Sequence, residues 1–267
     1  MVNILIGSIA ILLYLIADLL LVKRLFNREH STSKLPALII GLVATLLHAA
    51  SLSSQAFTLN GLNLGFTLSA SLAMLFISSL LLTSSFKNPI ENLGILILPL
   101  AAIALSVQLA YPTDHILASK DSMGLGVHIL FSILAYSLLS LAAVQALLLA
   151  FQERHLHTRH PGGVIRALPP LETMETLLFQ MIVIGFALQT MSLASGAVYL
   201  EDMLAQHLAH KTVLSVLAWL VFATLLWGRW RYGWRGRTAI RWTLSGFFAL
   251  LLAYFGSKYV LEIILER

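Results

Sequence analysis

Eight stretches of about twenty mostly apolar residues run through this chain of 267 residues and constrain its fold more than any other feature. Hydrocarbon offers the backbone no hydrogen-bond partner, so a segment that crosses it must be a helix of about 20 residues. The stretches are 2–22, 35–54, 64–84, 93–111, 125–151, 174–200, 212–230 and 240–264. They predict an all-α fold, a polytopic transmembrane helical bundle with eight spans that forms a single integral membrane domain over residues 1–267.

The composition supports this fold class, since 58% of the residues are hydrophobic and only 11% are charged. A soluble domain of this size could not bury so much apolar surface. Because cysteine is absent, disulfides, Cys-ligated zinc, thiol nucleophiles and covalent haem attachment through the protein's own thiols are excluded. The first stretch has its positive charges after it and none before it, so we expect it to stay as a span and not to be cleaved as a signal peptide.

Positive charge is distributed unevenly between the connecting segments. Of the 17 lysines and arginines, 13 fall in the segments after the first, third, fifth and seventh stretches or within two residues of those segments. Short loops rich in lysine and arginine stay in the cytoplasm. We therefore expect both termini on the outer (periplasmic) side of the bacterial plasma (inner) membrane. The net charge of +5 belongs to these loops and not to a soluble basic domain, which argues against nucleic-acid binding.

Three features near the predicted cytoplasmic side have simple interpretations. Residues 153–172 are predicted to be a solvated basic loop, although three histidines there could also form a metal cluster, namely His155, His157 and His160. Residues 228–237 mix arginine with tryptophan and tyrosine, as is typical of an anchor at the lipid head groups. Asp18 lies about one turn from Lys23 and Arg24, so we expect an interfacial ion pair.

Two histidines lie within predicted spans, where an ionisable side chain is a functional candidate because its burial is costly without a partner. His48 lies about 9 Å below the outer end of the second span, at 1.5 Å per residue. Its neighbours at three- and four-residue spacing are mostly small or polar, so we expect it to point into the bundle. His128 lies about one turn below the outer surface in the fifth span, among small, hydroxyl and aromatic residues.

Two interpretations of these histidines remain open. Each ring can form hydrogen bonds with a serine or a backbone carbonyl of a neighbouring helix. Alternatively, His48 and His128 could bind six-coordinate haem b iron in a pocket between the second and fifth spans. The haem propionates would then face outward, where Lys120, His207, His210 and Lys211 supply positive charge or hydrogen bonds. Trp219, in the seventh span, could stack on the macrocycle or pack as an ordinary bundle aromatic.

Two segments resemble the cytochrome c assembly family of membrane proteins, GVHILFSILAYSLLSLAAVQALLLA (126–150) and KTVLSVLAWLVFATLLWGRWRYGWRGR (211–237). The segments LLHAASL (46–52) and AYFGSKYV (253–260) are similar to the family as well. This family includes the CcsA, ResC and HemX proteins and the YpjD-like inner membrane proteins, and the likeness to the last covers essentially the whole chain. The resemblance implies a haem-handling function connected with cytochrome c maturation.

The resemblance also shows what this chain lacks. Family members with established haem function carry a tryptophan-rich outward loop flanked by two histidines, which leads into a helix that begins near a lysine. His128 matches the first flanking histidine, and Lys211 resembles that lysine. Residues 195–211 contain no tryptophan, and no histidine follows His210. We therefore predict a haem-binding or haem-handling membrane protein without the haem-presenting loop.

We expect a carrier, sensor or assembly factor and not an enzyme, because no serine is grouped by motif with a histidine and an acid. A cytochrome-maturation protein of the membrane or periplasm is the expected partner. Two alternatives remain, a membrane transport or transport-accessory protein and a structural partner of another membrane complex. Transport has little support, because no span has a mid-membrane Pro-Gly break and no inverted repeat is visible.

Overall fold

The computed structural model describes residues 2–26, 33–58, 61–63, 65–113, 116–118, 122–157, 168–199 and 209–256. Most of them belong to eight helices: α1 (Val2–Phe26), α2 (Leu35–Ala56), α3 (Phe66–Ser84), α4 (Gly94–Ala110), α5 (Ser122–His157), α6 (Leu171–Tyr199), α7 (Ala209–Tyr232) and α8 (Gly236–Leu251). Each is long and apolar enough to cross a membrane, if α4 is counted with the 3-10 turn Glu91–Leu93 before it and α8 with the π-helical turn Leu252–Gly256 after it. The predicted all-α protein with eight spans is confirmed, and it is an integral membrane protein in contact with the lipid bilayer.

Several helices differ in length from the predicted spans. α5 continues to His157, so the first part of the predicted basic loop is helical and carries His155 on its last turns. α7 continues to Tyr232, and only residues 233–235 separate it from α8. These ends are polar, and hydrophobic length alone does not show how far a helix extends beyond the hydrocarbon. Residues 257–264 of the predicted eighth span lie outside the described residues.

A small antiparallel sheet was not predicted from the sequence. Its strands are β1 (Phe57–Thr58), β2 (Gly61–Asn63) and β3 (Ile116–Ala118), in the order β1-β2-β3. Phe57 pairs with Leu62, and Leu62 pairs with Leu117. The sheet joins the segment after α2 to the segment after α4, and strands this short leave no periodic pattern in the sequence.

The helices form two compact units, and the first unit contains α1–α4 with the sheet. In it, α1 and α3 each pack against α2 and α4. Its core consists of aliphatic side chains and alanines, with Tyr14 and Leu38 fully buried among them. At the end where α1 finishes, Arg24 (3.1 Å) and Lys34 (3.3 Å) both donate to the carboxylate of Glu91.

The second unit contains α5–α8. In it, α5 packs along α6 and α8, and α7 packs against α6 and α8. Gly185 of α6 lets Leu139 of α5 approach closely, as small residues do between membrane helices. At the end where α6 begins and α7 finishes, Glu175 accepts hydrogen bonds from Arg229 (2.7 Å) and Arg235 (3.1 Å). The predicted single domain and the side of the membrane that each end faces stay predictions.

The predicted ion pair between Asp18 and the following lysine or arginine is wrong. Arg24 pairs with Glu91 instead, and Asp18 forms no ion pair with any residue that the structure describes. One carboxylate oxygen of Asp18 is buried without a hydrogen-bond partner. Glu91 reaches Arg24 from the start of another helix, and this tertiary contact has no signal in the local sequence of α1.

The close approach at Gly185 gives a test of the second unit. A Cβ on Gly185 would lie 2.7 Å from Cδ2 and 2.8 Å from Cγ of Leu139, which is fully buried and has no space to move. We expect Gly185→Ala to lower the free energy of unfolding by about 1–3 kcal/mol. Gly126→Ala in α5 is the matched control, because its Cβ would meet nothing within 4 Å. Thermal unfolding in one detergent measures both, and equal melting temperatures would contradict the packing described.

Candidate functional site

His48 lies in the middle of a hydrogen-bonded group in the first unit. Its ring is fully buried, so the prediction that it points into the bundle is confirmed. Nδ1 lies 3.1 Å from the hydroxyl of Tyr14 on α1, and Nε2 lies 2.8 Å from the hydroxyl of Ser71 on α3. The Tyr14 hydroxyl also lies 3.2 Å from that of Ser78. His48 therefore links α2 to both α1 and α3.

The local sequence explains how three helices come so close to this ring. Tyr14 lies on the buried face of α1 together with Gly7, Ala10 and Ala17, whose small side chains leave room for the neighbouring helices. The Tyr14 and His48 rings meet edge to face, with centroids 5.8 Å apart and an interplanar angle of 88°. This geometry is favourable for aromatic pairs.

Hydrogen bonding occupies both ring nitrogens of His48. One nitrogen can donate and the other accept in either tautomer, because the hydroxyls of Tyr14 and Ser71 can each do both. A metal ion at either nitrogen would displace one of these hydroxyls into a fully buried interior. Leaving a buried polar group without its partner costs about 1–3 kcal/mol. The first interpretation of His48, a hydrogen-bonded structural histidine, accounts for all its contacts.

His128 has a different environment in the second unit. Nδ1 lies 2.9 Å from the backbone carbonyl oxygen of Ser192 on α6, and since a carbonyl can only accept, Nδ1 carries the proton. In the neutral ring, Nε2 then carries the lone pair. The hydroxyl of Ser132 lies 3.5 Å from Nε2, but the same oxygen lies 2.7 Å from both the carbonyl oxygen of His128 and the hydroxyl of Ser192. Among the described residues, Nε2 has no hydrogen bond shorter than this 3.5 Å contact.

This arrangement is the one that metal-binding histidines adopt. Such a histidine donates its other N–H to a carbonyl or carboxylate, which fixes the ring orientation and makes the coordinating nitrogen more basic. Here the Ser192 carbonyl does this, and the Ser195 hydroxyl, 3.4 Å from Nδ1, donates to the same carbonyl at 2.9 Å. The His128 side chain is half-buried. The donor arrangement of His128 fits the iron of haem, whereas both nitrogens of His48 already take part in hydrogen bonds.

The other candidate residues are placed only in part. Trp219 donates from Nε1 to the hydroxyl of Thr190 (2.9 Å) and stacks on Phe186 with ring centroids 5.4 Å apart. Lys211 is half-buried in the first turn of α7. The structure describes the backbone but not the side chains of His157 and His210, and Lys120, His160 and His207 lie outside the described residues. His155 donates from Nδ1 to the carbonyl of Phe151 at 2.9 Å, and its ring packs on the Phe151 ring.

His48 belongs to the first unit and His128 to the second, so the predicted pairing of both rings on one iron stays a prediction. Sequence reasoning missed their partners, Tyr14 and Ser71 for His48 and Ser192 for His128. Two signals were present. Tyr14 is the one aromatic residue among the aliphatic residues of its predicted span, and Ser192 and Ser195 stand one turn apart on α6.

Relatives of known name extend over most of this chain. It is 30% identical to the inner membrane protein YpjD of Escherichia coli over 262 residues, 96% of this chain and 97% of that protein. A 28.8 kDa protein of Azospirillum brasilense is 32% identical over 198 residues, 73% of each chain. The cytochrome c biogenesis protein CcsA of Prochlorococcus marinus is 31% identical over 91 residues, 33% of this chain and 29% of that protein.

No solved structure matches the chain significantly. The predicted location in the bacterial inner membrane agrees with the eight spans and with the inner membrane relative. The family model of the cytochrome c assembly protein matches residues 5–265, so the chain belongs to the cytochrome c assembly protein family.

Proposed function

We propose that this protein binds haem b in its second unit, with His128 as an axial ligand, and that it serves cytochrome c maturation as a carrier, sensor or assembly factor and not as an enzyme. Membership of the cytochrome c assembly family supports the connection with haem. So does the similarity to CcsA, whose name describes cytochrome c biogenesis. The expected partner is a cytochrome-maturation protein of the membrane or periplasm.

The observation that carries this proposal is the hydrogen bond between His128 Nδ1 and the Ser192 carbonyl, at 2.9 Å. It holds the proton on Nδ1 and leaves the lone pair on Nε2 for an iron ligand. Because the Ser132 and Ser192 hydroxyls satisfy each other at 2.7 Å, they do not need Nε2 as a partner. When bound, haem supplies an iron centre that can accept and release one electron.

His210 and Lys211 begin α7, and we propose that they face the propionates, as their position in the sequence predicts. Trp219 already stacks on Phe186, which supports the packing interpretation of its ring. Residues 195–211 contain no tryptophan, so the proposed function does not include presentation of haem to an apocytochrome by a tryptophan-rich loop.

We infer that His48 has a structural function and joins three helices of the first unit. Its two hydrogen bonds, at 3.1 Å and 2.8 Å, satisfy both nitrogens where lipid and water are excluded. His48 as a second iron ligand would need the hydroxyl of Ser71 or of Tyr14 to find another partner. Experiments that measure haem content and stability together therefore distinguish the structural function of His48 from the proposed iron ligation by His128.

Replacement of His128 tests the haem proposal. Protein purified in mild detergent should show a Soret band that shifts on reduction, with haem present from expression or added afterwards. His128→Ala should bind haem more than about tenfold more weakly, because loss of even an outer-shell partner costs 10–100-fold. Added imidazole should restore the band by occupying the space of the lost ring. The measurement is a haem titration followed by absorbance.

His155→Ala is the control, because it removes a histidine from the same helix α5 at the other end. It should leave haem affinity unchanged. The proposal fails if the wild-type protein is colourless and does not take up added haem, or if His128→Ala binds haem as well as the wild type.

The structural function of His48 has its own test. Ser71→Ala removes the partner of Nε2 in a fully buried position, so we expect the free energy of unfolding to fall by about 1–3 kcal/mol. Ser106→Ala is the control, because the exposed Ser106 hydroxyl bonds only to the Ala102 carbonyl of its own helix. Thermal unfolding and haem titration are measured together. Loss of haem from Ser71→Ala without loss of stability would contradict the structural interpretation.

A further inference from the structure

Aromatic and arginine side chains cover the hairpin between α7 and α8 in the second unit. We call this the hairpin surface, and it consists of Trp227, Trp230, Arg231, Tyr232, Trp234, Arg241 and Trp242. It contains neither His128 nor any of its hydrogen-bond partners. An inference about it is therefore independent of the proposed haem function.

The backbone of the hairpin is held in one conformation. Gly233 and Gly236 adopt positive φ angles of 66° and 50°, which glycine tolerates without strain. The ring of Trp234 lies directly on Gly228, where the Cβ of any other residue would collide with it. Arg229 donates to the carbonyl of Trp234 at 3.1 Å. The side chains of the hairpin surface thus project from a defined turn.

Four aromatic rings form a continuous ladder across the hairpin. Trp227 meets Tyr232 edge to face with centroids 5.4 Å apart, and Tyr232 is followed by Trp234 at 6.4 Å and Trp242 at 5.5 Å. Next to the ladder, Trp230 is 82% exposed. Rings of this kind collect at the level of the lipid head groups, because they are apolar with one polar edge. The ladder therefore marks a membrane interface.

The arginines of this region divide into two groups. Three of them already bind carboxylates: Arg229 and Arg235 bind Glu175, and Arg237 binds Glu153 at 3.4 Å. The remaining two, Arg231 and Arg241, are exposed and form no ion pair with any described residue. Arg231 stands 5.8 Å from the ring of Tyr232, and Arg241 is next to Trp242 in the chain. One exposed guanidinium group therefore lies beside a ring of the ladder, and a second is carried by the residue before Trp242.

We propose that the hairpin surface binds the head group of an anionic phospholipid, with Arg231 and Arg241 at its phosphate. α7 and α8 both cross the membrane, which puts their connecting turn at the level of the head groups. A guanidinium group matches the planar, two-oxygen geometry of a phosphate and forms strong charge-assisted hydrogen bonds with it. Among the described residues at this end of the unit there are six arginines, the five named above and Arg154, and three glutamates, Glu153, Glu172 and Glu175, so the charge complements an anionic lipid.

The test is lipid binding to the full-length protein in neutral detergent micelles. Dioleoyl-phosphatidylglycerol is titrated and bound lipid is counted by native mass spectrometry, with dioleoyl-phosphatidylcholine as the neutral lipid. Each arginine near an anionic surface contributes about fivefold to affinity. We expect the double variant Arg231→Gln, Arg241→Gln to bind phosphatidylglycerol about thirtyfold more weakly and to lose its preference over phosphatidylcholine. Added salt should weaken wild-type binding.

The control is Lys23→Gln, Lys87→Gln, which removes two exposed cations from the first unit and should leave phosphatidylglycerol binding unchanged. An equal loss in the control would overturn the proposal, since it would mean that any two charges act alike. Unchanged binding in the arginine variant would overturn it too. Competition by soluble glycerol 3-phosphate at the concentration of the lipid would show a free phosphate site and overturn the choice of a lipid.

Discussion

Buried polar side chains need protein partners in a membrane, and the interior of both units depends on this constraint. Lipid cannot replace a lost hydrogen bond, so a hydroxyl or imidazole between helices fixes which faces meet. In the first unit, His48 joins α2 to Tyr14 of α1 and to Ser71 of α3. In the second unit, His128 and Ser132 of α5 meet Ser192 of α6. Small residues on these faces let the helices come close enough for such bonds to form.

The hydrogen-bond partners of the two intramembrane histidines distinguish a structural role from a chemical one. In the ring of His48 both nitrogens face hydroxyls and form hydrogen bonds. Replacing one of these hydroxyls with a metal ion costs free energy. A ring whose Nδ1 is fixed by a backbone carbonyl, as in His128, has a defined tautomer and a lone pair on Nε2. The Ser192 carbonyl is itself constrained by the helix, so it holds the ring without competing for that nitrogen.

The reliable part of the sequence prediction rests on the length of the hydrophobic stretches and on helical spacing. The eight spans and the inward direction of His48 follow from a local pattern, and the structure confirms both. The hydrogen-bond partners of these residues do not follow from a local pattern. A contact such as that of Tyr14 with His48, 34 residues apart, depends on which helices pack together. The ion pair predicted for Arg24 failed for the same reason, since Glu91 approaches from the 3-10 turn before α4. Polar helix ends, as in α5, extend beyond what hydropathy can detect.

Both units also neutralise a buried glutamate near the ends of their helices in the same way. Glu91 and Glu175 each accept hydrogen bonds from two cations, which lie on other helices or in the segments beside them, while only 11% and 13% of the glutamate side chains are exposed. A carboxylate so buried would be costly alone, and two cations share the cost of desolvating it. The position of each glutamate therefore determines which cations form ion pairs with it. Arg237 is bound by a further carboxylate, that of Glu153. Arginines that no carboxylate of the described residues binds need another counter-charge, and at the end of a membrane helix the nearest source is the lipid head group.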